Sequence, residues 1–410
     1  MKFVQDQENV DPIARSRIMT KQIVLSVFHA IRDHSESLMN GPRLLSSDQV
    51  LSRFTRTYSL LRRGILVLRG MLLLSAAAAQ AAPYELGEGY KLPWLGLTAG
   101  GYATLQASDL ENQKAKATIE DLSLFLHSDP TPDWHFFSEI EVSNPLFLTR
   151  DGFSVRDADL DFERFYMDYN LAPRQTLRLG KFLTPIGRWN LIHADPLVWT
   201  VSRPLTTAAP FARNASGVQF YGSAPLGDSA IDYQGYVDDS AQLDPTEGHE
   251  QTYIDLNVRP NPPSSFQQGS GMRLQYRTID DAFLIGLSAA RYRLKDIPGF
   301  KDLVGMDVFY THNELEVSGE SVYRQEEGPS GEKEWGGFIQ LVAPIANNVY
   351  AIARHERYKA ELFSGVLNST SYGITYRPKP PLSFKVEYRD SWGQVSLAPS
   401  GWLFSVATLF

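Results

Sequence analysis

Leu382-Ser-Phe-Lys-Val-Glu-Tyr-Arg389 places an apolar or aromatic residue at every second position, with a hydroxyl or a full charge between. A period of two sends the two rows to opposite faces of an extended strand. Leu382, Phe384, Val386 and Tyr388 form one row, and Ser383, Lys385, Glu387 and Arg389 the other. The pattern repeats along the chain. Met272, Leu274 and Tyr276 alternate with Arg273, Gln275 and Arg277, and Tyr372, Ile374 and Tyr376 with Gly373, Thr375 and Arg377. A soluble sandwich would bury the apolar row. Three features predict the reverse. Candidate strands at 213–223, 283–294, 315–325 and 349–358 are each about 10 residues, the length a tilted strand needs to cross a bilayer. Their opposing rows carry charges (Arg273, Arg277, Lys385, Glu387, Arg389; Glu316 with Glu320) that a wet lumen accommodates more readily than a core. Tyr and Trp near segment ends (Trp134, Tyr166, Tyr169, Tyr221, Tyr358, Trp392, Trp402) read as interfacial girdles.

The fold class predicted is therefore all-β, a transmembrane antiparallel β-barrel. Pro- and Asp-rich connections at 128–133, 170–174 and 377–381 read as tight turns on one rim. Longer polar segments at 238–251, 261–271 and 325–334 read as loops on the other. About seventeen strands are plausible, that at 253–259 being the least defined. Barrels of one chain favour even numbers, so sixteen is expected, with eighteen as the alternative.

Composition agrees. The 410 residues include 22 Phe, 19 Tyr, 7 Trp and 30 Gly, a mixture of strand and turn formers. The absence of cysteine excludes disulfide frameworks, thiol catalysis and Cys-ligated metals. A formal net charge of −8 argues against a nucleic-acid partner, and mean hydropathy below zero against a bundle of membrane helices.

The first eighty residues are a different text. Arg62 and Arg63 precede an apolar run, 64–79, that closes on Ala79-Gln-Ala81. Basic flank, short apolar stretch and small-x-small exit predict a signal peptide over 61–81. Arg69 interrupts the run, leaving it short of the ~20 residues of a spanning helix. Residues 1–60 read as an upstream extension, disordered or opened ahead of the native start, and 82–410 as the barrel domain. Taking the 11 basic and six acidic residues of 1–81 from 39 and 47 leaves 28 and 41, a net charge of −13.

Alternation fails once, over 184–213. This aromatic-rich segment holds Arg188, Arg203, Arg213, His193, Asp195, Trp189 and Trp199. Some 30 such residues need packing, and inside a barrel the place for them is the lumen. With the adjoining Lys181 they are the candidate constriction: Lys181, Arg188, Arg203 and Arg213 as fixed cations, with His193 and Asp195 beside them. The alternative is that these arginines pair with Asp195 or wall carboxylates and only anchor the segment. A Ser202–His193–Asp195 triad can be drawn, but no Gly-x-Ser-x-Gly elbow supports it, and the His spacing shows no metal motif. No enzyme, cofactor or metal is predicted. The acidic pairs Asp238–Asp239 and Glu326–Glu327 read as solvated loop faces that could bridge lipopolysaccharide.

Two stretches resemble known proteins. Trp402-Leu-Phe404-Ser-Val406-Ala-Thr-Leu-Phe410 resembles the last strand of bacterial outer-membrane barrels, whose terminal aromatic is read by the barrel-assembly machinery. Phe410, Phe404 and Val406 are thus the candidate assembly signal. Leu179-Gly-Lys-Phe-Leu-Thr-Pro-Ile-Gly187, with Tyr166-x-x-Tyr169 and Gly217-Val-Gln-Phe-Tyr-Gly222, resembles the phosphate-selective (polyphosphate-selective) porins of Gram-negative bacteria. The resemblance implies sixteen strands, an inward constriction loop, a homotrimer, an outer-membrane location among lipid and lipopolysaccharide, and passive diffusion of small hydrophilic solutes, anions among them. The net −13 and the lack of a dense Arg/Lys run on the inward rows set phosphate selectivity aside. A plugged structural or surface-binding barrel is the alternative function.

Overall fold

Extended strands with period-two faces dominate the computed structural model, which describes residues 86–149, 152–154, 159–192, 194–244, 266–295, 299–328, 331, 333–361 and 363–410. All lie in one compact unit, Ala81–Phe410. The expected extension and signal peptide, His193, and the weak strand at 253–259 fall outside the described residues.

Eighteen strands are present among these residues: β1 (Tyr90–Leu92), β2 (Leu97–Leu110), β3 (Lys116–Thr131), β4 (Trp134–Thr149), β5 (Gly152–Ser154), β6 (Asp159–Ala172), β7 (Gln175–Leu183), β8 (Asn214–Leu226), β9 (Ser229–Asp238), β10 (Phe266–Thr278), β11 (Phe283–Leu294), β12 (Lys301–His312), β13 (Leu315–Glu326), β14 (Lys333–Ala346), β15 (Val349–Lys359), β16 (Leu367–Lys379), β17 (Leu382–Gly393) and β18 (Gly401–Leu409). Two are three-residue additions: β1 pairs with the start of β2, and β5 with the end of β4. The other sixteen form one antiparallel ring in chain order. Closure comes from β18 against β2, where Gly401 faces Leu110 and Leu409 faces Tyr102. Closure removes every strand edge, which is how a β structure satisfies its backbone in lipid. Among the described residues no helix is long and apolar enough to cross a membrane.

The apolar row is the outward one. In β17, Phe384 and Val386 are each 41% exposed, whereas Lys385 and Glu387 are 2% and 1%. Trp134, Trp392 and Trp402 are outward and exposed. Tyr166, Tyr221 and Tyr358 are not girdle residues. They turn inward, where the Tyr221 hydroxyl donates to Asp168 at 2.9 Å and that of Tyr358 to Glu334.

Tight turns occupy one rim. Asn313 and Glu314 connect β12 to β13 with φ of 49° and 64°, the left-handed pair that matches strand twist in a two-residue hairpin. The expected loop over 261–271 is partly strand, because β10 begins at Phe266. Its glycines serve packing rather than turning. A Cβ on Gly269 would lie 2.8 Å from that of Tyr292, and one on Gly271 2.6 Å from the Tyr236 ring. Both tyrosines belong to a buried cluster with Phe182, Ile186, Phe211 and Phe266, so the core sits inside the barrel. The acidic pairs are also engaged: Asp238 accepts from the Ser216 amide at 2.7 Å, and Glu327 pairs with Arg291 at 3.0 Å.

Candidate pore site

The segment between β7 and β8 leaves the wall at Leu183 and returns at Asn214. Its neck is closed by the Thr184 amide donating to the Arg213 carbonyl at 2.8 Å. Asn190 Nδ2 donates to the carbonyls of both Thr184 and Arg213, at 2.8 and 3.0 Å. Among its described residues the body of the segment is mostly buried and irregular, with short 3-10 turns at Trp189–Ile192 and Leu205–Thr207. Amides that lack a helix or sheet partner need acceptors from elsewhere.

Inward carboxylates on β13, β15 and β17 supply them. Glu320 accepts from the Arg188 and Trp189 amides at 2.9 and 2.6 Å. Glu316 accepts from the Trp199 indole at 2.9 Å. Glu356 accepts from the Thr206 amide and hydroxyl, both at 2.8 Å. Glu387 accepts from the Val201 and Ser202 amides at 2.8 and 2.9 Å, and from the Ser202 hydroxyl. Cations from the same wall take the carbonyls. Arg354 donates to the Thr200 hydroxyl at 2.6 Å and the Ser202 carbonyl at 2.9 Å. Lys385 donates to the Asp195 carbonyl at 2.5 Å, and Arg377 to those of Leu197 and Val198. Arg324 and Tyr292 hold the Pro210 carbonyl. Buried charges persist only where paired and hydrogen-bonded in this way. The segment is thereby fixed against the wall from β11 to β17.

Lys181, Arg188, Arg203 and Arg213 each have their own contacts. Lys181 lies between Asp161 and Asp244, at 3.6 and 3.3 Å. Arg213 pairs with Glu163 at 3.2 Å. Arg203 turns back into its own segment, donating to Asn190 Oδ1 at 2.7 Å and the Thr207 carbonyl at 2.8 Å. Arg188 stacks on Phe309, 4.0 Å from the ring centre. Burial there lowers its pKa, against the pull of Glu316 and Glu320. Asp195 is half-buried, and His193 lies outside the described residues. The Ser202 hydroxyl donates to Glu387 and accepts from Arg354 at 2.6 Å, so it is a structural link.

The inward rows of the wall are paired as well. Arg273 forms a two-pronged bridge to Asp307. Arg277 bridges Asp232 and Asp281 at 2.8 and 3.0 Å, and Arg389 Nε donates to the Pro399 carbonyl at 2.9 Å. Phe404 and Val406 face outward and exposed on β18, and Phe410 exchanges backbone bonds with Gly101 beside β2.

Sequence reasoning missed Arg164, Arg178, Arg324 and Arg354. The alternation Arg164-x-Tyr166-x-Asp168 was the available signal, since it carries a second inward row with rings and charges together.

This geometry can be set beside known proteins. No family model matches the chain. A protein of Aquifex aeolicus described only as uncharacterized is 29% identical over 146 residues, 35% of this chain and 32% of that protein's length. Solved structures match the barrel throughout. The anion-selective porin from Comamonas acidovorans superposes with a TM-score of 0.51 at 12% identity, over 77% of this chain and 99% of that one. OmpF of Salmonella typhi, in complex with daunomycin, gives 0.52 at 10%, over 77% and 97%. The outer membrane channel DcaP of Acinetobacter baumannii gives 0.50 at 12%, over 78% and 99%. The chain has the fold of these proteins. At such identities the likeness extends to the fold alone.

Proposed function

We propose that the chain is an outer-membrane porin, a water-filled channel for passive diffusion of small hydrophilic solutes, narrowed by the segment between β7 and β8. One observation carries this reading. Sixteen strands close into one ring, and the bonds that hold the inward segment concentrate on one side of it, β11 to β17, with Arg213 on Glu163 of β6 as a tie to the other side. A sixteen-strand ring is wide enough for an aqueous path unless its lumen is filled. The basic, apolar and small-residue pattern over 61–81, read as a signal peptide, supports export to the outer membrane. One structural neighbour is an anion-selective porin, which makes anions the first solutes to try. Homotrimer formation and contact with lipopolysaccharide belong to the same reading. The test is liposome swelling with the purified barrel in sugars of increasing size. Swelling that falls off as the sugar grows is the expected result, and no swelling with the smallest sugar contradicts it.

A further inference from the structure

Near the long-loop rim, the outward faces of β14 and β15 bring three cations together. Lys333 opens β14, and Arg357 and Lys359 stand two positions apart at the end of β15. They alternate with the buried Glu334, Glu356 and Tyr358, and so belong to the lipid-facing row. Register sets Lys359 opposite Trp335 and Arg357 opposite Gly337, and the Arg357 guanidinium lies over the Trp335 ring, 5.8 Å from its centre. Directly opposed side chains on such a pair are only about 5 Å apart, so the charges share one small patch. Tyr323 faces Trp335 from β13.

Among the described residues none of these three cations has a carboxylate partner. Arg291, near the same rim on β11, shows the contrast: Asp302 and Glu327 hold it at 3.1 and 3.0 Å. Asp390, the outward carboxylate of β17, stands two strands away, opposite Thr370. Elsewhere near this rim the outward positions are apolar, as with Leu148 on β4, Leu160 on β6 and Val237 on β9, each more than half exposed.

Below the cations the outward row turns apolar at Ile339 and Leu341. A recess lies between. A Cβ on Gly337 would meet the Glu320 carbonyl at 3.4 Å, an ordinary contact, so wall packing does not require glycine there. Glycine inside a strand weakens it. With Ser321 opposite, Gly337 leaves a groove that leads from the cations into the apolar belt. Clustered cations at the level of an interfacial Trp match the phosphates of a lipid headgroup, and the groove matches an acyl chain. Longer loops mark the outer side of such a barrel, so the lipid is one of the outer leaflet.

We propose that Lys333, Arg357 and Lys359, grouped around Trp335, form a docking site for the phosphorylated glycolipid of the outer leaflet, lipopolysaccharide, with an acyl chain over Gly337. Access to that leaflet rests on the outer-membrane reading; the patch and its groove do not.

The experiment titrates the purified, detergent-solubilised barrel with lipid A, with the same lipid stripped of its phosphates, and with inorganic phosphate, and reads the adducts by native mass spectrometry. Wild type and Arg291→Gln should bind lipid A alike. Arg357→Gln and Lys359→Gln should each weaken binding about fivefold, and Arg357→Lys should stay close to wild type. Gly337→Leu should weaken it without lowering the thermal midpoint. Equal binding of lipid A by all variants overturns the proposal. So does dephosphorylated lipid, or inorganic phosphate, bound as tightly as lipid A. Should a variant not fold, wild type decides: lipid A binding that is the same at low and high ionic strength counts against the cations. Bilayer recordings separate the two readings. A protein that takes up lipid A but never conducts loses the channel and keeps the site, and one that conducts but ignores the phosphates loses the site alone.

Discussion

Replacing Glu387 with alanine would leave the Val201 and Ser202 amides without acceptors and Arg354 without its nearby carboxylate. Removing one partner from such a buried group costs about 3–5 kcal/mol. The backbone ladders of β17 are untouched, so the barrel should stay closed while its unfolding midpoint in detergent falls and open-channel current becomes noisier. A midpoint equal to wild type would show that the segment is held by other means. Glu361 gives a pH-dependent counterpart near the long-loop rim. It sits on Lys301 at 3.0 Å and on Arg324. Burial acts against its charge, but Arg324 and Lys301 outweigh that, and its carboxyl is held below the ordinary range. A group lowered in the folded state stabilises above its unfolded pKa of ~4.3 and loses that contribution as pH falls through the folded value. Because the chain has no cysteine, a spin label at Ser364→Cys can report the clasp. It should stay immobile at neutral pH and loosen only below the usual carboxylate range, whereas Glu361→Gln should loosen it at pH 7. At this scale Lys385 and Glu387 were legible as an inward row from alternation alone. Their partners were not, since a separation of 185 residues between Glu387 and Ser202 leaves no mark on local pattern.

The inward segment announced itself by broken alternation, and its aromatic content required a packed interior. Its path along the wall was hidden because it depends on acceptors contributed by distant strands. Gly187 shows how tightly that path is set. Its φ is +67°, and a Cβ there would lie 2.2 Å from Glu320 Oε2. Gly187→Ala combines backbone strain of about 1 kcal/mol with displacement of the carboxylate that holds the Arg188 and Trp189 amides. Lower stability and a larger or more variable single-channel conductance are expected, with the strand content by circular dichroism unchanged. A conductance identical to wild type would mean that the start of the segment does not set the narrowest point. The start of β10 was obscured for a related reason. Glycines read as turn formers, but Gly269 and Gly271 are small to admit Tyr292 and Tyr236 from neighbouring strands.

Sixteen strands, antiparallel order and outward apolar rows were all legible, because lipid on one side and a charged interior on the other repeat one pattern in every strand. The interior was harder to read. Its arginines, lysines and carboxylates hold the inward segment or one another, so neither net charge nor a count of cations predicts what would pass. The lumen as a whole has a side to which the segment is fastened by many bonds and a side it meets through Arg213 and Glu163, and a channel follows only if the space beside the second is continuous. Planar-bilayer recording of the purified, refolded barrel tests this most directly. A narrowed channel predicts discrete, uniform current steps in KCl that persist at low voltage; a folded, inserted barrel that gives no steps at any voltage would contradict it.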